Sequence, residues 1–580
     1  MKFLRDYAVL LLLMSIVLVI ISVLFLPIFM NLSGQLFDWN DYPLIVWIID
    51  QHIDHISSGT VHLLFQSNMF SGFRDSLLFS DLLLPTAFLT GMVSILGVDR
   101  VAAFNFVFFT TWLLNTYAAL FMWRKIWSGP QLVASVLFTV FMPFVVINLS
   151  HFQLIALWPF LFALSLLFEA QRSWKQAFWL GVWTSITFVS SVYLAVFLLY
   201  IIGVWHLVEV LNGRSQLASL VGIYSMWLAV FIATVLVLAG PFVLQYYQMR
   251  EFYHAERAYS EYVNYSAGLL DYVSSSSYFS IFSSVPWIQH WNATIASSAG
   301  GFFPGVVLLG LSLASLTFSK KSRPLQYGVG MVVNRRSVFF AILVISGFVF
   351  SLGPRLKIGT VYVGPPLPYS VLLKFVPLFE PIRAPVRWQL LLSIGLVYFA
   401  TEGLGKLLQL QSTKSRKWVI TCMAVGFFFL ELLPVYRPIQ PPGVGQVIDQ
   451  HLVPLCKDAP VLLEYPITHN PYGDHRGIVQ MLQHWTGSTL DAIVHDCRVV
   501  NGYSGYFPAE YTQYENRVRE ALESGDVGGF ATALQDRGVQ LLRIHTEKLT
   551  ASESATLAEW ADLSEPEQVF QSQYETMFSI

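Results

Sequence analysis

The segment Phe37-Asp38-Trp39-Asn40-Asp41-Tyr42-Pro43 sets two carboxylates three residues apart in an aromatic setting. A carboxylate within hydrogen-bond reach of a hydroxyl can accept its proton as the oxygen attacks an electrophile. Farther along, Arg383-Ala384-Pro385-Val386-Arg387 carries two guanidinium groups, which pair in bidentate fashion with phosphate or carboxylate oxygens. Ser150-His151-Phe152-Gln153 and Ser190-Ser191-Val192-Tyr193 add an imidazole, an amide and a phenol. His52, Asp54 and His55 also follow the first segment. The i, i+3 spacing of the histidines permits a metal on one helix face, but no third ligand is evident, and neither a metal nor any other cofactor is expected. Lone His and Arg residues at helix ends commonly cap or snorkel, and acidic loops are commonly just solvated. What these groups mean depends on the elements that place them.

Those elements belong to a membrane. The 580-residue chain is 55% hydrophobic and only 12% charged, against roughly 25% charge in soluble proteins. The formal net charge of -2 gives no basic field for nucleic acid. Tyr7 to Met30 is an apolar run long enough for a ~30 Å hydrocarbon core, and it reads as a retained anchor rather than a cleaved signal. Further apolar runs are Ala102–Trp123, Gln131–Leu149, Phe152–Phe168, Ala177–Val189, Ser191–Leu211, Leu217–Leu238, Phe302–Phe318, Val338–Leu352, Leu390–Ala400 and Trp418–Leu433. Basic residues stay on the cytoplasmic side. With Arg124 and Lys125, Arg172 and Lys175, Arg214, Lys320 to Arg323, Arg335 and Arg336, and Lys414 to Lys417 inside, every run from Gln131 onward alternates. Leu82–Val98 breaks that parity and holds Pro85 and Gly91, so it is read as re-entrant or interfacial. The expected fold class is an α-helical multi-pass membrane protein of about 11–13 spans.

The polar regions are unequal. Inner loops are short and basic, while 31–81, 241–301 and 353–387 form long outer loops. After a linker with Pro438, Pro441 and Pro442, the composition shifts to a soluble segment of domain size. The expected division is therefore a transmembrane domain over 1–433 and a small α/β extracytoplasmic domain over 434–580. Val461–Leu463 and Val539–Ile544 read as strands, and Asn516–Leu522 as helix. Three cysteines are too few for a disulfide framework and lack metal-ligand spacing. Cys456 and Cys497 share the tail and either pair or stay free. Asn501-Gly502-Tyr503-Ser504-Gly505-Tyr506-Phe507-Pro508 is glycine- and aromatic-rich, as in loops that approach a ligand closely. The bland reading is a turn that docks the tail.

A set of motifs in fixed order carries a family resemblance. It runs Asp41…Trp47…His55, Asn68-Met69-Phe70, Leu78-Phe79-Ser80-Asp81, Ser150-His151-Phe152-Gln153 with Trp158-Pro159, Ser190-Ser191-Val192-Tyr193 and Tyr265-Ser266-Ala267. It continues with Ser351-Leu352-Gly353-Pro354, Arg383 to Arg387 and Asn501 to Gly505. In this order the motifs resemble a group of bacterial multi-pass proteins placed with the GT-C-type glycosyltransferases, from the first outer loop to about His545.

The resemblance implies transfer of a sugar from a polyprenyl-phosphate lipid to a glycan, lipid or protein acceptor of the cell envelope, at the outer face of a bacterial cytoplasmic (inner) membrane. It implies a general base in the first outer loop, with Asp41 the first choice and Asp38 the second. Arg383, Arg387 or His151 would neutralise the leaving phosphate. Trp47, Asp81, Gln153, Tyr193, Asn501 and Tyr503 are the expected substrate contacts, although aromatic residues here also suit an interfacial belt. The chain departs from better-known GT-C families in replacing a tight acidic pair with Asp38 and Asp41, and around Pro43 the loop is expected not to be helical. Two other functions compete: a transporter or flippase of lipid-linked glycan, which calls for polar residues deep within spans, and a non-catalytic envelope-binding protein.

Overall fold

Proline positions decide where several helices begin and break. In the computed structural model, which describes residues 2–38, 41–169, 172–212, 217–275, 285–295, 301–317, 335–359, 361–432, 451–467 and 486–580, the first helix runs Lys2–Leu24 and a short one, Leu26–Met30, follows with Pro27 in its first turn. The run expected as one anchor is thus interrupted, because proline supplies no N–H to the preceding turn. On the first helix Leu13, Val17 and Ile21 are buried while Leu11, Val19 and Val23 are exposed. A large apolar side chain facing outward on such a helix is what lipid solvation requires.

Among the described residues, four helices are long and apolar enough to cross a membrane: Arg100–Trp123, Pro130–Ile147, Val192–Leu211 and Pro385–Gln409. Shorter apolar helices, Ala8–Leu24, Phe152–Leu167 and Val306–Leu316, coincide with other runs legible in the sequence. The run Phe152–Phe168 is broken into Phe152–Ile155 and Trp158–Leu167, with Pro159 opening the second piece. Leu84–Ser94 has 11 residues, which rise about 16 Å, half a hydrocarbon core and too little for a crossing. The chain is a multi-pass helical membrane protein with a small sheet-containing region at its C-terminal end.

The chain divides into two compact units, the first comprising Met1–Leu24, Phe109–Pro241 and Glu256–Pro438. Its helices Val306–Thr317, Arg335–Ser351 and Gln389–Gln409 pack through small residues. Gly403 lies on the Leu311 carbonyl and Gly347 on the backbone of Leu392, with no room for a Cβ at either. Such close backbone approach is how helices associate where lipid removes the hydrophobic drive. Phe340 stacks on Tyr398 at 4.1 Å. At one end of this unit Glu209 receives Arg172 at 2.6 Å and also Arg335. Basic residues from separate parts of the sequence, all expected on one side, therefore meet at one helix end. The unit also carries a hairpin, β1 (Arg355–Ile358) with β2 (Val361–Pro366).

The second unit comprises Phe25–Phe108, Phe242–Ala255 and Ile439–Ile580. The first outer loop is not a solvated loop here. Tyr42–Ser57 is helix, and its residues from Tyr42 to Ile53 are buried. Pro43 does not prevent this, because a proline in the first turn loses no hydrogen bond and its φ suits the helix. Arg100 pairs with Asp50 at 2.6 Å and Asp54 at 2.7 Å. His55 is held by Thr60 Oγ1 and the Gln66 carbonyl, and His52 is fully buried. In this setting Asp54 and His55 are occupied by other partners.

The tail of this unit holds, among the described residues, a five-stranded sheet of order β4-β3-β5-β7-β6. The strands are β3 (Val461–Tyr465), β4 (Arg498–Val499), β5 (Leu541–His545), β6 (Glu567–Gln571) and β7 (Glu575–Ser579). β3 is parallel to β4 and β5, and β7 is antiparallel to β5 and β6. The helix expected at Asn516–Leu522 is the middle of Ala509–Ser524. The helix Ala551–Ser564 starts on a capping box in which Thr550 and Glu553 satisfy each other's backbone N–H. Arg543 is buried against Asp491 at 2.8 Å, Glu575 at 2.9 Å and Glu464 at 3.7 Å. Cys456 and Cys497 form a disulfide.

Candidate functional site

Asp41 stands at the N-terminus of helix Tyr42–Ser57. Its carbonyl accepts the Ile45 N–H at 2.9 Å, while its carboxylate makes no capping bond to the helix. The carboxylate instead accepts from the Tyr503 hydroxyl at 3.4 Å. Partial positive charge at the helix end favours an anion in that position. Asp38 is 5% exposed. Burial pushes the Tyr42 phenol well above its ordinary range, and the charges of Asp38 and Asp41 push it further. Both carboxylates therefore sit within electrostatic reach of one buried phenol.

Tyr503 reaches Asp41 because its loop is held on several sides. The loop leaves the C-terminal end of β4, beside β3 and β5, the end of parallel strands at which ligands usually bind. Asn501 clamps it to β3: its amide donates to the Glu464 carbonyl and accepts from the Glu464 N–H, each at 2.8 Å. The Phe70 ring lies where a Cβ of Gly502 would be, so only glycine fits. The Gly502 N–H donates to the Tyr511 hydroxyl at 3.1 Å, and the Phe70 N–H donates to the Asn501 carbonyl at 3.1 Å. The loop both docks the tail and presents a phenol to Asp41.

Two expected substrate contacts are struts in this unit. Trp47 is 1% exposed, and its indole N–H donates to Asn68 Oδ1 at 2.9 Å. Asn68 in turn donates to the Ala492 carbonyl at 2.6 Å. A ring packed on all sides offers no face to a sugar, so the stacking expected of Trp47 does not fit this packing. Asn501 has its amide committed to backbone in the same way. Asp81 lies beside Tyr246, whose hydroxyl donates to the Ser80 carbonyl at 2.7 Å.

The remaining candidates fall in the other unit. Tyr193 begins helix Val192–Asn212, and its hydroxyl accepts the Ala384 N–H at 3.3 Å. The 3₁₀ turn Pro385–Trp388 leads into helix Gln389–Gln409 and aims Arg387 across the Tyr193 ring at 4.4 Å. Arg387 is 8% exposed, and among the described residues no carboxylate pairs with it. A buried guanidinium without a counter-charge is costly, and the ring face repays only part of that cost. Such a group is set to receive an anion. Arg383 lies over Tyr265 at 5.1 Å. The Val386 N–H donates to the Tyr265 carbonyl at 3.1 Å, and the Ala267 N–H to the Ser351 carbonyl at 2.9 Å. Gly353, at φ +66°, rests on Ser266. Three separate sequence motifs thus form one knot around the arginines. His151 and Gln153 share the turn at Phe152–Ile155, which Asn115 holds through the Ile155 carbonyl at 2.7 Å.

The structure brings together Asp38, Asp41 and Tyr503 in one unit, and Tyr193 with Arg387 in the other. It adds Tyr42 and Tyr265, which the sequence reading did not rank. Their signal was adjacency: Tyr42 follows Asp41 directly, and Tyr265 opens one of the ordered motifs.

Fold and side chains define a multi-pass helical membrane protein with a small sheet-containing region. The chain belongs to the family described as Domain of unknown function (DUF6311), whose profile matches residues 56–430. No curated protein matches it in sequence. Among solved structures it is similar to the arabinofuranosyltransferase AftD from Mycobacteria, with TM-score 0.57 and 11% identity over 98% of this chain and 40% of that one. A mutant of the same enzyme gives TM-score 0.52 and 10% identity over 98% and 41%. The archaeal oligosaccharyltransferase AglB from Archaeoglobus fulgidus, in complex with an inhibitory peptide and a dolichol-phosphate, gives 0.43 and 10% over 97% and 71%. The chain spans about two fifths of the length of AftD, and at this identity the likeness concerns the fold.

Proposed function

We propose that this protein transfers a sugar from a polyprenyl-phosphate donor to an envelope glycan, lipid or protein, from the bacterial inner membrane and on its outer face. The tail beyond residue 433 would then be extracytoplasmic. The observation that carries the reading is Arg387, a buried cation on the Tyr193 ring with no carboxylate partner among the described residues, in a chain of GT-C-like fold. Its role is to hold the donor phosphate and to stabilise the charge that gathers there as the sugar leaves. Arg383 and His151 are further candidates for that phosphate, and Asp81, Gln153 and Tyr193 for the substrates.

Asp41 accepts the proton of the acceptor hydroxyl. The acceptor oxygen bonds to the anomeric carbon, the bond from that carbon to the phosphate oxygen breaks, and polyprenyl phosphate departs with the electron pair. Asp38, more deeply buried, is the reserve base. Tyr503 orients the Asp41 carboxylate. No metal is required by this scheme.

The test is incubation of purified protein with a panel of polyprenyl-phosphate sugars, pentofuranose first because of the likeness to AftD, with chromatographic detection of released or transferred sugar. Turnover that Asp41→Asn removes supports the reading. Movement of intact lipid-linked glycan across a vesicle bilayer without cleavage would favour the flippase instead. Binding with neither turnover nor movement would favour an envelope-binding protein.

A further inference from the structure

The tail domain contains a second constellation that the proposed transfer does not use. The sulfurs of Cys456 and Cys497 and a ring nitrogen of His495 all lie within 4.8 Å of one another, and all three residues are buried. We propose that these three side chains form a thiolate–imidazole site for a zinc-class cation, closed when the two cysteines are joined as a disulfide and opened by their reduction.

Three observations carry it. First, His495 is 5% exposed, and neither ring nitrogen has a hydrogen-bond partner. A buried imidazole with both nitrogens idle is destabilising by about 1–3 kcal/mol per unsatisfied group, and a cation would occupy one of them. Second, the cysteines are held side by side by backbone bonds that do not depend on sulfur. β3 and β4 pair in parallel with Val461 opposite Arg498. The Arg498 N–H donates to the Pro460 carbonyl at 2.9 Å, and its guanidinium to the Ala459 carbonyl at 3.0 Å. The Cys456 N–H donates to the Leu452 carbonyl at 3.0 Å. Reduction therefore leaves two thiols facing each other beside the imidazole. Third, the donor set has a chemical preference. Two sulfurs and one imidazole suit zinc, with ligand atoms roughly 3.5–4 Å apart around a tetrahedral ion, and they disfavour calcium or magnesium, which prefer oxygen.

The redox step balances. A dithiol reductant gives two electrons and two protons to the disulfide and becomes a disulfide itself, leaving Cys456 and Cys497 as thiols. A divalent cation then displaces the two thiol protons, and the neutral imidazole adds a lone pair. The fourth position stays open to water.

The experiment uses the full chain in detergent with Cys422, the one other cysteine, changed to Ser. The protein is reduced with a phosphine, freed of reductant and titrated with Co2+, then with Zn2+ in competition. The expected result is one cobalt per chain, with a thiolate-to-metal charge-transfer band and tetrahedral d–d bands, displaced by one equivalent of zinc and absent from the oxidised protein. His495→Asn weakens binding by more than the about 10–100-fold that an outer-shell change costs. A disulfide that re-forms in that variant on oxidation certifies its fold. A reduced C422S protein without the thiolate band, or His495→Asn binding as tightly as its parent, overturns the proposal. The parent spectrum decides by itself if the variant does not fold.

Discussion

Replacing Arg387 by Met separates a ligand-binding arginine from a structural one. Met keeps much of the length and apolar bulk but removes the charge. In the folded state the substitution loses the contact with the Tyr193 ring at 4.4 Å, worth about 1–2 kcal/mol when desolvated. It also removes a buried charge that no described carboxylate balances, whose burial costs several kcal/mol. The second effect is at least as large as the first, so Arg387→Met leaves stability unchanged or raises it. Activity behaves oppositely. Losing a bidentate, charge-assisted contact to a phosphate that gains charge in the transition state lowers kcat/KM by about 100- to 1000-fold. Arg387→Lys keeps the charge but not the planar fork and falls between. The assay pairs transfer from polyprenyl-phosphate sugar with thermal unfolding in the same detergent. A variant that unfolds more easily by over about 2 kcal/mol while retaining turnover per folded molecule would refute the reasoning, because it would make Arg387 a packing element.

Three further outcomes are expected. Asp41→Asn abolishes transfer while membrane insertion and thermal unfolding stay as in the parent, and Tyr503→Phe lowers kcat with a smaller change in KM; full activity of Asp41→Asn would remove the base from the scheme. Arg543→Met leaves Glu464, Asp491 and Glu575 facing one another without their shared cation, so the tail loses about 3–5 kcal/mol, read as earlier proteolysis of residues beyond 450. His52 is held down to about pH 4 by burial and by the nearby His55, so the folded state keeps it neutral where an unfolded chain would protonate it. Its stabilising contribution is complete above about pH 6.5 and is lost as pH falls toward 4, about 3 kcal/mol in all. His52→Leu flattens that part of the stability–pH curve, and an unchanged curve would show that His52 does not titrate this way.

The membrane part was the most legible, because lipid demands long apolar runs and most of each run named from the sequence is helix where it is described. The breaks were less so. The anchor expected to Met30 stops at Leu24, and the run from Phe152 divides before Pro159. Hydropathy is averaged over a window, while a break is decided by one missing N–H. The first outer segment was misread around Pro43 for a related reason. Proline ends a helix from within but starts one from its first turn, and choosing between these needs the helix boundary. In the tail the strands at Val461 and Val539 were visible from composition, but the pairing that sets Cys456 against Cys497 depends on the parallel register of β3 and β4. A sequence separation of 41 residues hides that register from any spacing rule.

The candidate residues differ in one respect that sequence cannot supply. Trp47, Asn501, Asp41 and Arg387 were all singled out by residue type and by place in an ordered motif. Packing then divides them. The indole N–H of Trp47 and both ends of the Asn501 amide are taken by Asn68 and by the Glu464 backbone. A substrate could recruit them only by leaving other buried groups unsatisfied, at about 1–3 kcal/mol each. Asp41 is turned toward a phenol rather than into its own helix, and Arg387 faces a ring rather than a carboxylate. The ring does not neutralise the Arg387 guanidinium, so a substrate phosphate can engage it without first displacing a described carboxylate. A motif marks where chemistry is affordable in sequence space, but the side chains able to perform it are those whose charge the fold has left uncompensated. By that criterion Arg387 ranks first, Asp41 keeps its place through the Tyr503 contact at the helix N-terminus, and Trp47 and Asn501 matter because their rigidity holds the Asp41 end of the second unit in place.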